Sequence, residues 1–330
     1  MKTLSRFAPA AAMLLVVGVL SAGGQQAAAP AGGTLPPPVK HDALIPEHGS
    51  YLGAWVLRAP DEKTSLGLLE SQIGRPFAIG LHYVGWTKEW PNEEMQDDIA
   101  KGRIPLVSWN CENPNATVAS GADDEIISSR ARDARKFGHP IFLRWYWEFN
   151  VPGGQHTGKC LGMESPREKQ QTDFIMAWRH IWQIFQKEGA TNVVFVWNPN
   201  STAPPGALDP KGFYPGDSYV DWIAWDKYDQ IGGTPFEELF SDFIKGYGKM
   251  GKPLMIGETG AHPAFQRTFL EQATKALKGP YSQIKAFVYF DAPGHRPLPW
   301  TLSDEGIQAL KVMGADPHFS PMAPSAKASK

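Results

Sequence analysis

The chain has 330 residues, enough for one large domain or two ordinary ones, and its 32 Lys and Arg against 34 Asp and Glu give a net charge of −2. Such a balance offers no electrostatic footprint for nucleic acid or anionic membrane. Hydrophobic residues at 42% and charged residues at 20% supply a sizeable core and exclude wholesale disorder, and the 12 Trp, 9 Tyr and 17 Phe exceed what a core alone needs.

The N-terminus reads as a targeting signal. Lys2 and Arg6 precede the apolar run from Phe7 to Leu20, and Ala27, Ala28 and Ala29 offer a small-residue cleavage site. The run is too short to span a bilayer comfortably. Residues 1–29 are therefore expected to be a signal peptide, and the mature protein secreted or periplasmic and free of the membrane. Residues 30–49, ending in a Pro- and Gly-rich stretch, read as a linker, and residues 318–330 as a flexible tail. Export makes the two cysteines, Cys111 and Cys160, candidates for one disulfide.

Between linker and tail, eight short apolar runs have strand character: Tyr51 to Val56, Phe77 to Tyr83, Ile104 to Trp109, Pro140 to Trp145, Asn192 to Trp197, Asp221 to Trp225, Pro253 to Glu258 and Ile284 to Phe290. Helical spacing is visible over Asp124 to Phe137, Arg167 to Lys187, Phe236 to Tyr247, Gln266 to Leu277 and Glu305 to Met313. Ser165-Pro166-Arg167-Glu168 and Thr234-Pro235-Phe236-Glu237 have the form of capping boxes with Pro at the first helical position. The strand starts recur about every 33 residues, one βα unit at a time. A single (β/α)8 TIM barrel over residues 50–317 follows. An open doubly wound sheet is the runner-up, but Ala54-Trp55-Val56-Leu57 is no phosphate-binding loop.

A barrel of this kind carries its chemistry at the C-terminal ends of the strands. Two such ends hold a Glu, Glu148 after the fourth strand and Glu258 in the seventh. Paired carboxylates are what glycoside hydrolysis requires, one to protonate the leaving oxygen and one to attack or to activate water. Strand alternation puts Arg144, Tyr146 and Glu148 on one inward face, where Arg144 needs an acid and either Glu serves. No His-x-His, His-Glu-x-x-His or Gly-x-Ser-x-Gly occurs, so neither a metal site nor a serine elbow is read, and no cofactor is expected. Trp86, Trp109, Trp197, Trp225 and Trp300 at strand ends are candidate platforms for pyranose rings, with His82, Asn110, Asn198 and Asp226 as polar neighbours. Trp178 and Trp182, four apart on a helix, read as helix-to-barrel packing. On a barrel, Cys111 after strand three and Cys160 after strand four sit on adjacent loops of one rim, which favours their bridging.

These residues resemble glycoside hydrolase family 26, a family of retaining endo-β-mannanases with some β-1,3-xylanases and mixed-linkage glucanases. The resemblance runs from Tyr51 to about Asp316. It rests on Phe142-Leu143-Arg144 leading to Glu148-Phe149-Asn150, on Val196-Trp197-Asn198-Pro199-Asn200, on Tyr219-Val220-Asp221-Trp222 leading to Asp226-Lys227-Tyr228, on Ile256-Gly257-Glu258-Thr259-Gly260, and on Tyr289-Phe290-Asp291 followed by Trp300. It implies that Glu148 is the acid/base, Glu258 the nucleophile with Arg144 and Tyr228 beside it, and Trp300 the platform under the sugar at the cleavage point. Trp147 stands where the family usually has His, at a residue that touches substrate. The implied activity is retaining endo-hydrolysis of a β-linked polysaccharide, β-1,4-mannan first, with β-1,3-xylan, mixed-linkage glucan or a bacterial exopolysaccharide as alternatives. A non-catalytic carbohydrate-binding barrel and a transglycosylase are the readings of another class. The expected partner is a polysaccharide or oligosaccharide, bound by a monomer.

Overall fold

The computed structural model describes residues 44–58, 61–151, 160, 168–201, 206–292 and 300–322. The chain divides into two units, 1–35 and 36–330, and every described residue lies in the second. The expected signal peptide, most of the linker, the Ser165 capping box and the end of the tail fall outside the described residues.

Eight parallel strands close into a barrel in chain order: β1 (Tyr51–Val56), β2 (Ile79–Val84), β3 (Ile104–Trp109), β4 (Ile141–Trp145), β5 (Val193–Trp197), β6 (Trp222–Asp226), β7 (Leu254–Thr259) and β8 (Ile284–Asp291). The helices are α1 (Glu62–Ile73), α2 (Glu93–Ala100), α3 (Asn115–Ala119), α4 (Asp124–Phe137), α5 (Gln170–Lys187), α6 (Phe236–Tyr247), α7 (Gln266–Lys278) and α8 (Asp304–Ala315). Helices α1 to α3 lie in stretches where no helix was specified from the sequence. Between β5 and β6 the described residues hold only two short 3-10 turns, Pro210–Phe213 and Asp217–Tyr219.

Helix ends follow local chemistry. Asp61 accepts from the Thr64 amide and starts α1, while Gly74, at φ 78°, ends it in the left-handed conformation that side chains disfavour. Helix α4 has Asp124 and Glu125 in its first turn and Arg135 and Lys136 in its last, matching the helix dipole at both ends. The expected capping box at Thr234 does not form. Pro235 takes the cap position without a side-chain bond, because the Phe236 amide is already satisfied by Gln272 Oε1 at 2.9 Å.

Alternation along the strands builds two cores. Inside the barrel lie Tyr51, Ile79, Leu81, Ile104, Leu106, Phe142, Val194, Val196, Trp222, Ala224, Met255, Ala286 and Val288. The opposite faces, with Leu52, Val107, Leu143, Phe195 and Ile256, meet the helices. Leu44 joins the inner cluster at 3% exposure. The Ser50 amide donates to the His318 carbonyl at 2.9 Å, and Phe319 is fully buried. The packed body therefore runs past the expected limits of 50 and 317, since these flanking residues cover the base of the barrel. Trp178 packs as expected on the barrel, against Phe195 of β5, while Trp182 meets Tyr219 of the second 3-10 turn. Among the described residues no helix is long and apolar enough to cross a membrane.

Candidate active site

The centre is organised by Arg144, which β4 projects inward one residue before its end. The guanidinium is fully buried. Its Nε donates to Ser108 Oγ at 2.6 Å, and its Nη1 donates to Asn198 Oδ1 at 3.1 Å and to Asp226 Oδ2 at 3.2 Å. Its Nη2 forms an ion pair with Glu258 Oε1. Burial alone would pull the Arg144 pKa down, but the charges of Glu258 and Asp226 outweigh it and hold the group above its ordinary range. The inward Arg thus takes Glu258 and Asp226 as its acids.

Glu258 arrives through an irregularity of the sheet. In β7, Met255 faces inward and Ile256 outward, and the pairing with β6 jumps from Trp225↔Ile256 to Asp226↔Glu258. Gly257 is the residue skipped. A Cβ there would stand 2.3 Å from Asn198 Oδ1 and 2.6 Å from Asp226 Oδ1, so the close approach demands glycine. The Glu258 carboxylate, 4% exposed, accepts from the Tyr228 hydroxyl at 2.6 Å on Oε2, and the Tyr228 ring stacks on Trp300 with centroids 4.9 Å apart.

Glu148 reaches the same space by another route. The sequence reading placed Arg144, Tyr146 and Glu148 on one strand face, but β4 ends at Trp145. Tyr146 turns outward, fully buried against Trp145, Phe149 and Phe174, with its hydroxyl accepting from Asn115 Nδ2 at 3.2 Å. Glu148 sits at φ 55°, the only non-glycine among the described residues with positive φ. For an L-residue this costs about 1–2 kcal/mol. The turn is held from β5: the Glu148 amide donates to the Asn198 carbonyl at 2.8 Å, and Asn200 Nδ2 donates to Glu148 Oε1 at 2.7 Å. Asn150 ties down the same loop, accepting from the Asn200 amide at 2.8 Å and donating to the Asn200 carbonyl at 3.0 Å.

Carboxylate oxygens of Glu148, Asp226 and Glu258 lie within 4.8 Å of one another. Three acids share one guanidinium, so not all of them stay ionised at modest cost. Burial first, and the charge of Glu258 second, push Glu148 up to about 8. The same two causes, in the same order, push Asp226 well above the usual carboxylate range. This trio is also where a cation would find ligands, but Arg144 already supplies the positive charge between two of its members.

Several expected binding residues lie elsewhere. Trp109 and Trp197 are fully buried, and Trp86 and Trp225 nearly so. Trp109 stacks on Trp86 at 4.3 Å and meets Phe185 of α5, Trp197 meets Tyr247 of α6, and Trp225 meets Phe243 and Tyr247. All four occupy the layer between barrel and helices; Trp109, Trp197 and Trp225 do so because their sequence neighbours Ser108, Asn198 and Asp226 take the inward position. Strand alternation similarly turns His82 outward, where Nε2 lies 2.5 Å from Asp98 Oδ2 on α2. Asn110 folds back to accept from the Cys111 amide at 2.9 Å. Asn198 and Asp226 reach the centre, but they hold Arg144. Trp147 is at the centre too, its ring 5.5 Å from the Arg144 guanidinium carbon and 4.9 Å from the Tyr83 ring. Cys111 and Cys160 are joined by a disulfide, with Cα atoms 6.1 Å apart. A groove of about 530 Å³ lined by Trp90, Asp133, Lys136, Phe137 and His139 lies on the barrel flank and contains none of these residues.

The sequence reading missed Tyr83, Ser108, Asn150 and Asn200. Asn150 and Asn200 stood inside quoted motifs, and Tyr83 is the inward neighbour of the residue chosen on β2.

Comparison with known proteins agrees with this geometry. The pattern of Glycosyl hydrolase family 26 matches residues 144–287. Endoglucanase H of Acetivibrio thermocellus is 28% identical over 254 residues, covering 73% of this chain and 28% of that protein. Beta-1,3-xylanase TXYA of a Vibrio species is 27% identical over 192 residues, covering 54% of this chain and 35% of the relative. The chain thus spans about a third or less of the length of these relatives. Among solved structures, an endo-β-1,4-mannanase double mutant of Cellulomonas fimi superposes with a TM-score of 0.60 at 16% identity, covering 83% of this chain and 72% of that one. The GH26 domain of a Prevotella bryantii endo-β-mannanase/endo-β-glucanase gives 0.58 at 15% identity, covering 82% and 90%. These structures share the barrel, and the matched segment begins at Arg144 and takes in Glu148, Tyr228 and Glu258: over that segment the chain is similar to glycosyl hydrolase family 26.

Proposed function

We propose that this protein is an exported, retaining endo-β-glycoside hydrolase that cuts a β-linked polysaccharide by double displacement, with β-1,4-mannan as the first substrate to test. The observation that carries the reading is the Glu148–Glu258 pair, close together yet held in unlike electrostatic settings. Carboxyl groups about 5–5.5 Å apart suit a retaining enzyme, whereas inversion needs a wider gap for water. Glu148 keeps its proton near neutral pH and donates it to the glycosidic oxygen. Glu258, ion-paired to Arg144 and hydrogen-bonded by Tyr228, attacks the anomeric carbon as the C–O bond to the leaving saccharide breaks, giving a glycosyl ester. Esterification removes the negative charge that helped hold the Glu148 proton. Glu148, now a carboxylate, takes a proton from water as that water attacks the anomeric carbon and releases Glu258. Trp300, stacked on Tyr228 beside the nucleophile, is the platform for the sugar undergoing cleavage. The apolar run after Lys2 and Arg6 and the disulfide support export.

The test is release of reducing ends from mannan, β-1,3-xylan and mixed-linkage glucan, with anomeric configuration followed by NMR. Wild type is expected to cut one of these with retention, and E258A and E148A to lose at least a thousandfold in kcat. Binding without cleavage by wild type would favour a non-catalytic carbohydrate-binding barrel, and dominant transfer to an added oligosaccharide would favour a transglycosylase.

A further inference from the structure

Tyr228 is not the only phenol at the nucleophile. Tyr83, one residue before the end of β2, projects inward and lies within hydrogen-bonding reach of Glu258. Its ring is held from two sides, edge-on to Trp55 with centroids 5.1 Å apart and tilted against Trp147 at 4.9 Å, and the Arg144 guanidinium carbon lies 5.8 Å from its centre. Trp55 packs on Phe290 at 4.6 Å, Phe290 meets Tyr228 at 5.8 Å, and Tyr228 stacks on Trp300. A continuous run of six rings, from Trp147 through Tyr83, Trp55, Phe290 and Tyr228 to Trp300, thus carries both phenols that reach Glu258. A ring clamped this way has little rotamer freedom left, so its hydroxyl is already oriented when substrate arrives.

We propose that Tyr83 is a positioning residue for Glu258: together with Arg144 and Tyr228 it supplies a third donor to a carboxylate with only two oxygens. This rests on the double-displacement reading above. Three donors share the lone pairs in the resting enzyme and fix which oxygen faces the anomeric carbon. Trp147 sets the angle of the Tyr83 ring, so the residue beside the acid acts on the nucleophile through Tyr83.

The test uses Y83F, which keeps the ring and its packing and removes only the hydroxyl. Wild type and Y83F are treated across pH with an epoxyalkyl β-glycoside of the disaccharide the enzyme releases, and the labelled residue is located by peptide mass spectrometry. Kinetics on the polysaccharide are measured alongside. Y83F is expected to lower kcat about tenfold with KM changed less than threefold, and to slow labelling of Glu258 about tenfold across the pH range, with unchanged near-UV circular dichroism. Label on Glu258 in both proteins with the same rate at every pH would overturn the role of Tyr83 and leave double displacement standing. Failure of wild type to take label on Glu258 while still cutting the polysaccharide would overturn both.

Discussion

At the scale of single residues the decisive quantity is the proton on Glu148. Its pKa of about 8 comes from burial first and from the charge of Glu258 second. In the proposed mechanism Glu148 must be protonated to act as the acid, so kcat/KM is expected to fall above about pH 8, and a pH profile on the cleaved polysaccharide measures this. The same shift has a stability consequence. The folded protein holds a proton on Glu148 that the unfolded chain gives up near the ordinary Glu value, so folding loses stability as pH rises from about 4.5 to about 8. E148Q removes the liability and keeps the amide contact with Asn200. Its Tm is expected to exceed that of wild type by a few degrees at pH 8 and to match it near pH 4.5, by calorimetry. An equal difference at both pH values would show that the gain is packing rather than charge. How Glu148 reaches the cleft was not legible beforehand. Alternation extrapolated from β4 put Tyr146 inward, whereas the strand stops at Trp145 and a left-handed turn makes the delivery.

At the scale of elements, the strands were legible because eight apolar runs with turn residues between them admit few other arrangements, and four of the five specified helices start or end where spacing and caps placed them. Helices α1 to α3 were less visible: in α1 the exposed Leu68 blurs the apolar spacing, α2 buries Met95 and Asp98, and α3 is five residues long. What failed was deciding which face a strand-end aromatic takes. Trp109, Trp197 and Trp225 each stand next to the polar residue that reaches the centre, and a shift of one residue reverses the assignment. The irregularity at Gly257 belongs to this scale too, since it moves Glu258 off the face that β7 alternation would give it. G257A forces a methyl group into Asn198 and Asp226 and pushes on Arg144. It is expected to cut kcat by a hundredfold or more and to lower Tm by several degrees. Wild-type turnover in this variant would show that the tight approach is not needed.

At the scale of the whole molecule, the Cys111–Cys160 disulfide ties the end of β3 to the loop after β4, closing 49 residues of sequence around the Glu148 turn. Cross-links over loops of this length stabilise by about 2–4 kcal/mol. The C111S/C160S double variant is therefore expected to lower Tm by about 5–10 °C and to make the rim loop more susceptible to limited proteolysis, with the barrel's far-UV circular dichroism retained. An unchanged Tm would mean that packing alone braces the rim.

The covered base of the barrel carries one more consequence. With Leu44 seated against the inner apolar layer and Phe142, Met255 and Val288 filling the interior below Arg144, the described residues close the barrel from its base, and access to the acids is from the opposite end. Under the proposed double displacement, a polymer would lie across the opening like a rod over a cup, and the solvent molecule that frees the ester would come in by the path the departing saccharide has just vacated. A sugar hydroxyl waiting at that threshold would compete with it, so under that mechanism crowding the medium with short oligosaccharides is expected to lengthen a minor share of the products.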